Sequence, residues 1–127
     1  MPTSTSLFDR IGGDTAVTAT VIKLYDKILS DELLIPFFKD IDVAALRRSQ
    51  IAFVTVAFGG PHHYSGKNMH DAHSTPRKNG LKNAHFDRVA YHLKTSMMEL
   101  NVPTDLIGEA LSIVETTRQD IVSASTA

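Results

Sequence analysis

Apolar residues recur at three- and four-residue spacing through most of the chain, and that period predicts helices. Between residues 14 and 29, Val17, Val21, Leu24, Tyr25 and Ile28 form one apolar stripe, with Asp14 as the candidate cap behind Gly12 and Gly13. A turn at residues 30–32 leads to a brief helical piece around 34–38. Asp42 is placed to cap the next helix, over 43–58, in which Leu46, Gln50, Phe53 and Ala57 share a face. Gly59, Gly60 and Pro61 end it. Residues 84–100 repeat the pattern with Phe86, Val89, Leu93, Met97 and Leu100. Pro103 and Thr104 open a last helix to about residue 122, with Ile107, Leu111, Val114 and Ile121 inward. No alternating pattern of strand length and no internal repeat occurs, so the expected class is all-α.

Residues 59–83 interrupt this regularity. They are rich in Gly, Pro, His, Asn and Lys, and only residues 69–73 have a briefly helical pattern. So long a structureless stretch is uncommon inside a small domain. This one holds His62, His63, His70 and His73, four of the six histidines of the chain. A bound group that orders the stretch would account for its position between strong helices.

Length and composition narrow the class. A chain of 127 residues, 43% hydrophobic, suits one domain over residues 1–127. A formal net charge of -1 argues against a nucleic-acid partner. The absence of cysteine removes disulfides, thiolate metal sites, thiol nucleophiles and cysteine-linked haem together. No signal-peptide pattern and no apolar run of spanning length is present, so a soluble cytoplasmic protein with no membrane partner is expected.

Two polar residues lie on otherwise apolar stripes: Tyr25 and Gln50. One reading has Gln50 satisfying a neighbouring backbone group and Tyr25 packed with its hydroxyl at the surface. The other has both aimed into one cavity, donating hydrogen bonds to something small. His73 likewise reads either as a solvated loop histidine or as a ligand. His70 and His73 are three apart, yet no nearby acidic residue completes a convincing zinc site. No nucleophile elbow, phosphate loop or catalytic carboxylate pair is evident.

Taken in order, one set of residues resembles a known family. It comprises Ile11-Gly12-Gly13, Leu24-Tyr25, Pro36-Phe37-Phe38, Gln50, Phe53, Phe58-Gly59-Gly60, His63-Tyr64-Ser65-Gly66-Lys67-Asn68-Met69, Ala72-His73, His85-Phe86 and Val102-Pro103. The chain resembles a group I truncated haemoglobin over nearly its whole length. The resemblance implies a two-over-two helical sandwich around one non-covalent haem b, with a minimal first helix and a loop in place of most of the proximal helix. It implies His73 as the proximal iron ligand, and Tyr25 and Gln50 as distal donors to a diatomic ligand such as O2, NO or CO. Phe38, Leu46, Phe53 and Met69 would pack around the haem, and Tyr64 and Lys67 would lie near its propionates.

Some members of that family carry a glutamine where Leu46 stands and a histidine where Ser49 stands. The departure implies a mainly five-coordinate ferrous haem in the absence of a gas. His85 is left open as a haem neighbour, and His92 is expected to face solvent. The trio Tyr25, Gln50 and Leu46 is similar to that of members that oxidise nitric oxide. The expected activity is therefore nitric oxide dioxygenation to nitrate by the oxygenated ferrous haem, with an external reductase because no flavin or nicotinamide motif is present. The alternative is O2 storage, delivery or sensing without turnover. A monomer or weak homo-oligomer is expected.

Overall fold

The computed structural model describes residues 6–38, 41–60 and 82–118, and every regular element among them is helical. Ser6 starts the first element: its Oγ accepts from the Asp9 N–H at 3.1 Å and caps α1 (Leu7–Ile11). Gly12 and Gly13 follow with φ of +122° and +74°, values that side-chain-bearing residues rarely adopt. The chain therefore turns sharply into α2 (Gly13–Ile28), and Gly12 occupies the cap position that the sequence pattern assigned to Asp14. Asp14 instead sits in the first turn, where its charge faces the positive end of the helix.

The brief helical piece expected there forms as a short 3-10 turn (Ile35–Phe38). Asp42 caps α3 (Val43–Ala57) as expected, its Oδ1 accepting from the Ala45 N–H at 3.2 Å. The next described helix is α4 (Asn83–Glu99), where His85 Nδ1 reaches back to accept the Lys82 N–H at 2.9 Å. Asn101 ends α4 in the left-handed conformation, φ +63°. The Val102 N–H then returns to the Met97 carbonyl and the Asn101 N–H to the Met98 carbonyl, which together form a Schellman cap. Pro103 follows and opens α5 (Thr104–Glu115).

The four longer helices stack as two pairs. α2 packs on α3 and on α4, α4 packs on α5, and α1 bridges α2 and α5. Val17, Val21, Leu24, Tyr25 and Ile28, the whole stripe read from the sequence, are buried in the shared core. Leu93 and Met97 meet them from α4, and Leu106, Ile107 and Ala110 from α5. Two threonines are buried without penalty, because Thr20 and Thr55 donate to the carbonyls of Ala16 and Ile51 one turn back, both at 2.7 Å.

The end of α3 is tied to α1. The Phe8 N–H donates to the Phe58 carbonyl at 2.9 Å. Gly60 lies so close to Phe8 and Thr55 that a Cβ there would stand 2.7 Å from the Phe8 ring and 2.8 Å from the Thr55 methyl. The glycine pair is thus more than a helix stop: it lets two chain segments touch.

Candidate functional site

Tyr25 is the buried polar residue of greatest interest. α2 carries it on the same stripe as Leu24 and Ile28, and it is 7% exposed. The edge of one ring meets the face of the other between Tyr25 and Phe38, with centroids 5.9 Å apart and planes at 84°. Burial pushes the Tyr25 hydroxyl well above the ordinary phenol range, so it stays protonated and able to donate. Among the described residues that hydroxyl has no hydrogen-bond partner.

α3 presents Leu46, Gln50, Phe53 and Ala57 along one face, and all four are half-buried. The fully buried residues at this helix, Thr55 and its cap Phe58, lie around the other side. The 46–57 face is only partly closed: Leu46 and Ala57 pack against the core cluster, and the whole face stays half-covered. Gln50 sits on the half-covered side, and its amide also has no hydrogen-bond partner among the described residues. Leu46 packs against the core cluster.

Several candidates fall elsewhere. Tyr64, Lys67, Met69 and His73 lie outside the described residues. His85 is half-buried and packs against Phe37, with centroids 4.8 Å apart and planes at 70°, while its Nδ1 serves the helix cap. His92 overturns the expectation that it faces solvent. It is 8% exposed, and its Nε2 lies 2.6 Å from Asp31 Oδ2.

Asp31 was not singled out by sequence reasoning. It is buried, and the same oxygen accepts from Arg88 Nε at 2.5 Å. The Arg88 hydrogen bond, followed by that from His92, holds the Asp31 carboxyl at about 2. A signal for His92 did exist. The buried positions of α2 come in adjacent pairs, Thr20–Val21 and Leu24–Tyr25, and α4 repeats this as His92–Leu93 and Ser96–Met97. A stripe two residues wide would have turned His92 inward.

The described residues fit a flat apolar group flanked by a small polar ligand. They supply a phenol on a buried side chain with no hydrogen-bond partner among them, a half-covered amide, and apolar residues in Phe38, Leu46 and Phe53. The profile of the family described as Bacterial-like globin matches residues 6–123. The group 1 truncated haemoglobin of Tetrahymena pyriformis is 38% identical over 117 residues, 92% of this chain and 94% of that one. The chain belongs to the group 1 truncated haemoglobins.

Other relatives agree with this membership. The group 1 truncated haemoglobin GlbN of Synechocystis sp. is 42% identical over 109 residues, covering 85% of this chain and 88% of the relative. The 2/2 haemoglobin of Synechococcus sp., solved in the cyanomet state with covalently attached haem, superposes with a TM-score of 0.89 at 39% identity. That match covers 94% of this chain and 99% of the other. The ferric Tetrahymena pyriformis structure gives 0.88 at 37% identity, covering 93% and 98%. Membership confirms the all-helical two-over-two fold and implies haem-based binding of diatomic gases such as O2. Among the described residues, no helix is long and apolar enough to cross a membrane.

Proposed function

We propose that this truncated haemoglobin holds one non-covalent haem b through His73 and takes a diatomic gas beneath Tyr25 and Gln50. When bound, haem supplies an iron that accepts O2, NO or CO on the side away from its protein ligand. The observation that supports the reading best is the Tyr25 hydroxyl, carried on a buried side chain, held protonated and without a hydrogen-bond partner among the described residues. A hydroxyl with no partner of its own is free to donate, and a polarised diatomic ligand is the acceptor that family membership implies.

The chain's own residues have distinct tasks. Tyr25 donates from α2 and Gln50 from α3, so the ligand is met from two helices that pack directly on each other. Phe38, Leu46 and Phe53 exclude water, which strengthens both hydrogen bonds. On the proximal side, Met69 packs beside the haem, and Tyr64 and Lys67 meet its propionates. Leu46 offers no group to the iron, in keeping with a five-coordinate ferrous protein.

The activity proposed is oxidation of nitric oxide to nitrate at the expense of O2, in the cell interior. That conversion leaves the protein ferric, and no flavin or nicotinamide motif is present in the chain, so an external reductase returns the electron. Two preformed donors favour this reading, because charge that develops on the reacting gas meets dipoles already in place.

The test mixes the oxygenated protein with NO and follows nitrate by ion chromatography. One nitrate per haem, formed within milliseconds and slowed in Tyr25→Phe, is the expected result. No nitrate, or no change in the variant, would leave O2 storage, delivery or sensing as the function. His73→Ala should lose the pigment or change its spectrum, and acidified organic solvent should extract the haem from the parent protein. Haem that stays with the polypeptide would instead place this chain with the covalently modified relative.

A further inference from the structure

The buried carboxylate of Asp31 has no place in the gas pocket itself, yet three groups from two elements converge on it. Oδ2 accepts from Arg88 Nε at 2.5 Å and faces His92 Nε2 at 2.6 Å. Oδ1 accepts the Leu33 N–H at 3.0 Å. The backbone is equally engaged: the Asp31 N–H donates to the Ile28 carbonyl at 3.1 Å, and its own carbonyl accepts from Leu34 at 3.0 Å and Ile35 at 2.9 Å. One residue therefore closes α2, opens the 3-10 turn and fastens both to α4.

What that turn carries gives the fastening a purpose. Leu34 is 1% exposed and anchors the turn in the core. Phe37 packs on His85, a second contact with α4, and Phe38 packs on Tyr25. The turn is thus held to α4 at both ends, by Asp31 before it and by Phe37 within it. Phe38 sits on the far side of the second anchor with its ring against the phenol. Tertiary stability alone does not call for this device, because apolar replacement of a buried ion pair is often neutral or stabilising. A hydrogen bond to a small ligand is different, since it weakens steeply with misalignment.

We propose that Asp31 is a positioning residue for the gas pocket, acting through Arg88, His92 and the Ile35–Phe38 turn to hold Phe38 and thereby aim Tyr25. The inference rests on the reading of Tyr25 as a donor to the bound gas. Asp31 touches neither haem nor ligand, and its effect is transmitted wholly by the turn.

The experiment uses the haem-loaded full chain and two readouts: the O2 dissociation rate, and the C–O stretching frequency of the ferrous carbon monoxide complex, which rises when a hydrogen bond to the ligand is lost. Asp31→Ala, Asp31→Asn and His92→Gln are compared with Tyr25→Phe. Glu99→Gln serves as a control, because Glu99 lines the same surface cleft as Asp31, Arg88 and His92 but pairs there with Lys23 and Lys27 instead. The Asp31 and His92 variants should speed O2 release about three- to tenfold and shift the C–O band toward that of Tyr25→Phe. Adding Asp31→Asn to Tyr25→Phe should change nothing more, since the effect passes through the phenol.

If Tyr25→Phe alone alters neither readout, Tyr25 is not a donor to the gas and both claims fall. If Tyr25→Phe alters them but the Asp31 and His92 variants do not, or if the double variant is additive, only the positioning role is lost. Should Asp31→Ala not fold, Asp31→Asn and His92→Gln decide the matter alone.

Discussion

Phe38 meets Tyr25 edge to face, with ring centroids 5.9 Å apart and planes at 84°. The contact fixes the phenol from a turn that belongs to neither helix of the α2–α3 pair. It makes the hydroxyl's direction a property of three elements rather than of one rotamer. Tyr25→Phe should keep the packing and remove only the donor, speeding O2 release about tenfold, equivalent to roughly 1.5 kcal/mol. Phe38→Ala should keep the donor and loosen its aim, giving a smaller increase and a broadened C–O band. Stopped-flow displacement of O2 by carbon monoxide measures both. Equal rates in parent and Tyr25→Phe would remove the phenol from the mechanism.

The raised phenol ionisation has a pH signature of its own. Burial favours the neutral hydroxyl, so the folded-state value lies above the unfolded one. The donor is then constant across the neutral range, and stability is unaffected below the ordinary phenol value of about 10. It declines as pH rises above that value, because only the unfolded chain ionises freely. O2 release should be flat from pH 6 to 9, while alkaline unfolding should begin near pH 10 and be delayed in Tyr25→Phe.

Asp31 sets the opposite, acid limit. Its folded carboxyl lies at about 2, held there first by Arg88 and then by His92, against 3.8 for an unperturbed carboxylate. A depressed carboxylate contributes stability above its unfolded value and loses it as pH falls through the folded one. The melting temperature should therefore fall between pH 4 and pH 2. Asp31→Asn should flatten that slope and cost about 1.5–3 kcal/mol at neutral pH, the usual worth of hydrogen bonds to charged groups. Circular dichroism melts across this window are the check. A parallel slope in parent and variant would assign the acid transition to other carboxylates.

Gly60 and Ser96 predict effects of opposite sign. Gly60→Ala drives a methyl group into the Phe8 ring and the Thr55 methyl, and should destabilise by about 1–3 kcal/mol. Ser96 is wholly buried in α4, and its hydroxyl has no hydrogen-bond partner among the described residues, while Thr95 takes the His92 carbonyl one turn back. Ser96→Ala removes an uncompensated polar atom at little loss of volume and should be neutral or stabilising by up to about 1 kcal/mol. Urea titrations resolve both. A clear loss in Ser96→Ala would mean that the hydroxyl has a partner of its own.

The helices that position the pocket were legible because their periodicity is strong. The α2 stripe came out complete, Asp42 capped where its spacing placed it, and Tyr25 and Gln50 stood out as polar interruptions. α1 escaped the pattern because five residues hold too little period to read; a serine cap and two glycines define it instead. Asp31 and His92 escaped for another reason. They are 61 residues apart, and neither departs from an ordinary surface composition until the fold joins them. Local patterns reveal which face of a helix is apolar. They do not reveal which distant charge will be buried against it.

The bond between Phe8 and the Phe58 carbonyl has a practical consequence for anyone who alters the start of the chain. α1 works as a doorstop: Ser6 and Phe8 press on the point at which the polypeptide leaves α3, and that exit leads into the segment bearing His73. Trimming a handful of N-terminal residues, or appending a tag that pulls Ser6 out of its cap, would free the exit without touching any pocket residue. A preparation shortened in this way that loses pigment should first be suspected of a broken hinge rather than of damaged ligand chemistry.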